Sequence, residues 1–328
     1  MATISDVAAR AGVSTATVSR ALNGKSTVDP ALVTRVLDAA RELGYQPNGP
    51  ARNLRRQEAA VVALIISDVE NPFFTAIARG VEDVAHAVGY SVVLCNSDED
   101  AEKERRYVDV AIQERAAGVI VSPTPTASSV DALLQRGTPL VAVDRPLAGR
   151  ESDTVLVDTR LAARQATTHL IEQGYSRIGC VTGPVGVRTA DDRLAGYRDA
   201  LNAGRQRGLV RRTVFKAAGA EQAVADLLDQ DDRPDALLVA NSAMALGALA
   251  ALRARGLRAG RDVGLVAFDD VPWAALVDPP MTVVAQPAYE LGTVAAQLLL
   301  ARIADNTRPA TTTTLEARLI ERASSHRD

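Results

Sequence analysis

The sequence predicts a small all-helical headpiece followed by two doubly wound parallel α/β halves, an α plus α/β architecture, and three observations predict it. Residues 4–24, ISDVAARAGVSTATVSRALNG, carry apolar positions at helical spacing, interrupted at Gly12, the pattern of a short helix, a tight turn and a second helix. From residue 60 onward, short runs rich in Val, Ile and Leu alternate with helical stretches, which implies parallel sheet with helices on both faces. That pattern occurs twice in succession, and 328 residues suit a headpiece plus a large two-part body.

Within the headpiece, Val7, Ala8 and Ala11 give the first helix one small apolar face, and Val18, Ala21 and Leu22 give the second a face that packs back on it. Thr3 and Asp6 are spaced as a capping pair, and Ser14 is placed to cap the second helix. Thr15, Ala16, Thr17, Ser19, Arg20 and Asn23 are left on the outer side. Small and hydrogen-bonding residues at the front of a helix, followed by an Arg one turn later, suit close approach to base edges in the major groove. With Ser14 they form the expected DNA-reading set. Asp29-Pro30 then reads as the N-cap and first position of a third helix, with Val33, Val36, Leu37, Ala40 and Leu43 on its buried face and Gly44 ending it.

In the body, AAVVALIIS, YSVVLCN, GVIVSP and PLVAVD read as strands of the first half, separated by helices near 74–88, 102–115 and 128–136. A second set begins near 154 with TVLVD and continues with RIGCVTG, DALLVAN and VGLVAFDD, separated by helices near 159–173, 191–204, 220–229 and 243–256. The strand in MTVVAQ crosses between halves. Sheets of this kind bind ligands beyond the carboxyl ends of their strands, so two facing halves trap a small molecule in the cleft between them.

Those strand ends carry a chemically coherent set. Asp68, Asn71, Phe73 and Phe74 come after the first strand; Asn96, Ser97 and Asp98 after the second; Asp144 and Arg145 after the fourth. The second half supplies Arg193, then Asn241 and Ser242, then Asp269 and Asp270, and Gln286 ends MTVVAQ. Aromatic faces with Asp, Asn, Arg and Gln are what a polyhydroxylated ring needs: apolar stacking for its C–H face, acceptors and donors for its hydroxyls. Each residue also has a plainer reading. One of Phe73 and Phe74 could be helix-start packing, Asp144 and Arg145 could pair at a loop, and Arg193 could bridge to Asp191 or Asp192. Asp269 and Asp270 could cap a loop, with only Asp269 expected to face a ligand. Trp273, the only Trp, is not assigned to the cleft.

Composition narrows the function. No run approaches the roughly 18 apolar residues of a membrane span, and the polar start leads directly into the first helix, leaving no room for a signal sequence; a cytoplasmic, nucleoid-associated location is expected. Cys95 and Cys180 lie inside apolar runs and read as buried thiols, and with three scattered His no metal site is expected. Residues 1–58 hold eight Arg or Lys against five acids, a balance of +3 in a chain of net charge −3. A positive headpiece on a negative body favours the headpiece end at phosphates.

The run DVA..AGVS..TVSR.LNG over residues 6–24, with AARELGYQPNGPARNL over 39–54, resembles the lactose and galactose repressor family of bacterial transcription regulators. The resemblance implies a headpiece over 1–47, a hinge helix over 48–58 and an effector-binding and dimerisation domain over 59–328. Within that domain it places an N-subdomain near 60–156 and 286–313 and a C-subdomain near 157–285 and 314–328, of periplasmic-binding-protein type. Asn48 is itself placed to cap a short helix there, and the resemblance further implies that Asn48 and Arg52 lie at the DNA and that the hinge helix pairs with its dimer mate, with Leu54 in the minor groove at the centre of a palindromic operator. Asn71, Phe73, Phe74, Asp144, Arg145, Arg193, Asn241, Asp269 and Gln286 become the expected effector contacts. Three positions depart from the family pattern: Pro50 replaces a small hinge residue, Ser242 replaces an Asp, and Ala117 replaces an Asp before Gly118. LEARLIERAS over 315–324 resembles the end of the family's core, and no leucine heptad tail follows it, so a homodimer rather than a tetramer is expected.

The expected function is a sequence-specific regulator on double-stranded DNA, controlled by a monosaccharide such as a pentose, with a purine or nucleoside as the alternative effector. A sugar carrier is the reading from another class, disfavoured by the basic headpiece. A sugar- or nucleoside-processing enzyme is the third. Asp144, Asp269 and Asp270 could serve as acid and base, but no phosphate loop, metal cluster or nucleophile elbow accompanies them, so neither turnover nor a cofactor is expected.

Overall fold

The computed structural model describes residues 2–22, 28–45, 59–125, 128–204 and 208–327. The chain divides into two compact units, Met1–Ala59 and Ala60–Asp328.

The first unit is built on α1 (Ile4–Ala11), α2 (Thr15–Leu22) and α3 (Pro30–Glu42). Thr3 and Asp6 close a reciprocal capping box: the Asp6 N–H donates to Thr3 Oγ1 at 3.3 Å and the Thr3 N–H to Asp6 Oδ2 at 2.7 Å. Gly12 ends α1 at φ +64°, a conformation a Cβ disfavours, and so turns the chain into α2. Ser14 Oγ accepts from the Thr17 N–H at 3.1 Å, capping α2, and Asp29 accepts from the Ala31 N–H at 2.8 Å, capping α3. Val7, Ala8, Ala11, Val18, Ala21, Val36, Ala39 and Ala40 form the core of this unit.

Two expectations for α3 fail. Leu37 and Leu43 are 38% and 36% exposed, and Ala39 is buried in their place. The reason is size: the face of α3 that meets α1 and α2 is a narrow stripe through Val36, Ala39 and Ala40. Leu37 stands about 100° off that stripe and Leu43 lies past the last helical residue.

The second unit holds two six-stranded sheets. In chain order come β1 (Ala59–Ile66), α4 (Pro72–Ala87), β2 (Ser91–Asn96), α5 (Ala101–Gln113), β3 (Ala116–Val121), α6 (Asp131–Gln135), β4 (Leu140–Val143) and β5 (Asp153–Val157). Next are α7 (Thr159–Glu172), β6 (Ile178–Thr182), α8 (Arg188–Gly204), β7 (Leu209–Arg212), α9 (Ala217–Leu228), β8 (Ala236–Val239), α10 (Ser242–Ala254), β9 (Gly264–Phe268) and β10 (Thr282–Ala285). The last elements are α11 (Ala288–Ala304), β11 (Thr312–Leu315) and β12 (Arg318–Ile320).

The strand orders are β11-β5-β4-β3-β1-β2 and β12-β10-β9-β8-β6-β7, the same order in both halves. Separate apolar clusters cover the two faces of each sheet, as doubly wound sheets require. The chain passes between sheets three times: after Val157, after Ala285, and between Leu315 and Arg318.

The run TVLVD belongs to the first sheet, not the second, because β5 pairs in parallel with β4 and β11. An apolar run shows that a strand forms but not which sheet it joins. Three strands have no apolar run to betray them: β7 reads LVRR, β11 TTTL and β12 RLI. All three lie at sheet edges, where one side is open and polar residues are tolerated. Cys95 and Cys180 are free buried thiols. Among the described residues no group of His, Cys, Asp or Glu could hold a metal, and no helix is long and apolar enough to cross a membrane.

Candidate functional site

Two candidate sites emerge, one in each unit. On the first unit, Ser14, Thr15, Ala16 and Arg20 are exposed along the front of α2, and Thr17 is half-buried with its hydroxyl 2.9 Å from that of Ser14. Ser19 does not share that face. It is buried beside Val18 and Ala21, because α2 packs against both α1 and α3 and its buried arc is wider than one stripe. Arg35 reaches back to α1 along the surface, its Nη2 donating to the Ala11 carbonyl at 2.6 Å and satisfying the open end of that helix. Asn23, Asn48, Arg52 and Leu54 lie outside the described residues.

In the second unit a cavity of about 480 Å³ lies between the carboxyl ends of the two sheets, a size usual for small-molecule pockets. All nine expected effector residues line it: Asn71, Phe73, Phe74, Asp144, Arg145, Arg193, Asn241, Asp269 and Gln286. The first wall starts at the end of β1. Asn71 Oδ1 accepts from the Phe73 N–H at 3.0 Å, which starts α4 and sets both Phe rings at the cavity edge. The rings meet edge to face, centroids 5.2 Å apart, and both are also core residues, so lining and packing are not exclusive roles.

Asp144 ends β4 and is buried. Burial pushes its carboxyl above the usual range, opposed by the charges of Arg145 and Arg193. The sequence leaves open whether Arg145 pairs with Asp144. Its Nε lies 3.3 Å from Asp144 Oδ2, but the guanidinium fork goes elsewhere, to Glu99 Oε2 and Oε1 at 2.7 and 2.6 Å. Burial works against the Arg145 charge, and the Glu99 bonds together with the charges of Glu99, Asp144 and Glu104 more than offset it.

Across the cavity Arg193 is buried on α8. Its Nη1 donates to the Ala240 carbonyl at 2.7 Å and its guanidinium stands 4.4 Å over the Phe268 ring. It is not a partner of its acidic neighbours: Asp191 pairs with Arg212 and Asp192 with Arg188. Asn241 Oδ1 caps α10 by accepting from the Met244 N–H at 2.8 Å. Asp269, at the end of β9, accepts from the Ser242 N–H at 3.3 Å and from Gln286 Nε2 at 2.7 Å, and burial pushes its carboxyl up despite Arg193. Asp270 turns away to Arg322 at 2.8 Å, and Trp273 is not part of the lining.

Gln286 sits on the second of the three chain crossings, so it touches both the cavity and the joint between halves. Its Oε1 and Arg193 Nε are buried without a hydrogen-bond partner among the described residues. With no such partner, both atoms are able to bond to a molecule in the cavity.

Sequence reasoning missed Phe215, Glu99 and Lys216, which also line the cavity. Phe215 comes just after β7, the strand whose sequence hid it. It lies close over Gly183 at the end of β6, where a Cβ would come within 2.1 Å of the Phe215 ring. That Gly-to-Phe contact is the signal that no single-strand pattern carries.

A three-helix DNA-reading unit joined to a two-sheet body with a ligand cavity between its sheets defines a ligand-responsive DNA-binding regulator. Comparison with known proteins agrees. Residues 3–48 match the family model described as bacterial regulatory proteins, lacI family, and residues 167–325 match that of the periplasmic binding protein-like domain. The chain is 36% identical over 309 residues to the ribose operon repressor of Halalkalibacterium halodurans, covering 92% of this chain and 91% of that one. It is 31% identical to the HTH-type transcriptional repressor PurR of Aliivibrio salmonicida, over all of both chains. The lac repressor dimer bound to operator and the anti-inducer ONPF superposes with a TM-score of 0.89 at 27% identity, covering 99% of each chain. The protein belongs to the lacI family of bacterial regulatory proteins: a DNA-binding transcription regulator.

Proposed function

We propose that this regulator is a cytoplasmic dimeric repressor whose effector is a free pentose of the ribose kind, held between the two sheets. The observation that carries the reading is the pairing of an aromatic wall, Phe73, Phe74 and Phe215, with buried Asp144, Asp269, Arg193 and Gln286, two of whose polar atoms lack partners. A sugar ring presents an apolar C–H face and a rim of hydroxyls, each able to donate to one group and accept from another. The likeness to a ribose operon repressor supports the same choice. Thr15, Ala16 and Arg20 would read the half-site, with Ser14 and Thr17 at the backbone. The domain limits inferred from sequence, with a hinge over 48–58 and Leu54 at the operator centre, belong to this proposal.

The effector acts through the joint. Gln286 bonds Asp269 and lies on a crossing, so ligand seated against it biases the angle between halves. The coupling to operator is reciprocal: whatever factor the effector imposes on DNA affinity, DNA imposes on the effector. No turnover is expected, since Asp144 and Asp269 are engaged by their neighbours Arg145, Ser242 and Gln286, as positioned ligand contacts are.

A purine is the second reading, supported by the likeness to PurR across the whole chain. Calorimetric titration of the purified protein with D-ribose, D-ribose 5-phosphate, D-glucose and hypoxanthine decides between them. The proposal expects ribose to bind and Asp269→Ala to abolish that binding. Binding of hypoxanthine alone would replace the pentose by the purine.

A further inference from the structure

Away from the three crossings, the hydrogen bonds that join the two halves among the described residues are both made by Lys216. Its Nζ donates to Asp68 Oδ2 at 3.0 Å and to Glu70 Oε2 at 2.8 Å. Asp68 and Glu70 lie just past β1 in the first half, and Lys216 is the N-cap residue immediately before α9 in the second. We propose that Lys216 is a latch: a positioning residue that ties the halves together over the cavity mouth and sets how firmly the effector is held. The inference rests on the effector reading above and gives a cavity-lining residue a role in joining the halves.

Its place in the chain gives the latch leverage. Lys216 is next to Phe215, and Asp68 lies in the short segment leading to Asn71 and Phe73. The ion pair therefore joins the two aromatic walls at their roots. Asp68 is already fixed, since its Oδ1 accepts from the Glu70 N–H at 3.0 Å and leaves Oδ2 for the ammonium. The Asp68 side chain is 11% exposed and that of Lys216 49%. The latch is thus half in water, firm enough to bias closure and weak enough to open.

Three carboxylates face the ammonium: Asp68, Glu70 and, further off, Asp98, which is itself paired with Lys103. The hydrogen bond to Glu70 is the larger cause, and with Asp68 it holds the Lys216 amine above its ordinary range. The ammonium therefore stays charged across physiological pH, and salt rather than pH is the variable that loosens the latch.

The test compares the wild type with Lys216→Met and Lys216→Arg in two measurements on the full chain. Backbone hydrogen exchange of the segments around 67–74 and 213–218, without ligand, reports the latch directly. Calorimetric titration with D-ribose at roughly 0.05 M and 1 M salt reports its effect on binding. Lys216→Met is expected to speed exchange in both segments, to weaken ribose binding about two- to fivefold at low salt, as for a part-exposed ion pair, and to remove most of the salt dependence. Lys216→Arg is expected to keep wild-type behaviour, because it keeps the charge. Unchanged exchange in Lys216→Met, or an arginine variant as impaired as the methionine one, would overturn the latch. If wild-type protein fails to bind ribose, the effector reading falls, and the exchange measurement still decides the latch.

Discussion

Asp144 and Asp269 occupy the same place in the two halves of the body. Each is the first residue past a strand, β4 or β9, and each takes a left-handed backbone, φ +68° and +77°. Each donates its N–H at 3.0 Å to the neighbouring strand, to the Val155 or the Val284 carbonyl. Non-glycine residues adopt such φ at a cost, and they persist where the surrounding structure over-determines them, commonly at functional sites. Here the ladder bond fixes the backbone, and the bend aims each carboxylate into the cavity from its own sheet.

Burial raises both carboxyls, so the cavity is a place where charge is held at a cost. A carboxyl whose folded value is raised keeps its proton longer in the native state. Its contribution to stability is therefore present below the ordinary carboxylate range and lost as pH rises through the raised value. Asp144→Asn and Asp269→Asn are expected to leave the melting temperature of the ligand-free protein unchanged or higher, and to flatten its fall with rising pH. Each should also weaken effector binding by about 1.5 to 3 kcal/mol, the worth of a charged hydrogen bond. Melting curves from about pH 3, below the ordinary Asp value of about 3.9, up to about pH 8 check both halves of the statement when run with and without ribose. A large loss of stability in the ligand-free variants would contradict it.

Gly183 carries a prediction that the sequence alone could not supply. A methyl group there would meet the Phe215 ring at 2.1 Å, with Cε1 and Cε2 also inside contact distance. Gly183→Ala is expected to destabilise the body by about 1 to 3 kcal/mol through overpacking and to displace the ring from the cavity wall. Effector affinity should fall with it. Pairing the variant with Phe215→Leu separates the two effects, since the smaller side chain should restore stability without restoring affinity.

How far the sequence alone reveals the site depends on where each signal lives. The strand ends bearing Asp144, Asp269 and Asn241 are readable because central strands are continuous apolar runs, and a residue just past such a run lies at the carboxyl edge of its sheet. Phe215, Glu99 and Lys216 are not, for separate reasons. Phe215 and Lys216 come after an edge strand, LVRR, with no apolar pattern, while Glu99 is one of several acids in a polar loop and gains its meaning only from Arg145 arriving from β4. The headpiece divides the same way. Caps at Thr3, Ser14 and Asp29 are local and legible, but the inward turn of Ser19 depends on α2 touching two helices at once.

His169 sets an acid limit on the body. It is buried on α7, with Nε2 2.7 Å from Ser325 Oγ and Nδ1 3.8 Å from Glu321, and so helps hold the last residues of the described chain to the second half. Burial lowers its value below the ordinary range, opposed in part by the Glu321 charge. A group depressed in the native state contributes stability that is present above its unfolded value and lost as pH falls through the folded one. The melting temperature is therefore expected to drop as pH falls below about 6.5. His169→Gln should flatten that drop relative to wild type, and an equally steep fall in the variant would assign it to other groups.

Arg20 and Arg35 separate reading from building in the first unit. Arg20 is exposed on the front of α2, whereas Arg35 donates at 2.6 Å to the Ala11 carbonyl and lies beside Gly12 at the turn. Loss of Arg20 would remove a base contact and leave the fold intact. Arg20→Ala should cost about 1 to 3 kcal/mol of operator affinity and relax one base position in a binding-site enrichment assay. Loss of Arg35 would open the end of α1 and free α2 from its set angle. Arg35→Ala should lower headpiece stability by about 1.5 to 3 kcal/mol, the range for a hydrogen bond to a charged group, and weaken all operators alike without changing the preferred sequence. Should Arg35→Ala instead shift base preference while the headpiece melts normally, Arg35 belongs to the DNA-reading surface and the division drawn between the two arginines is wrong.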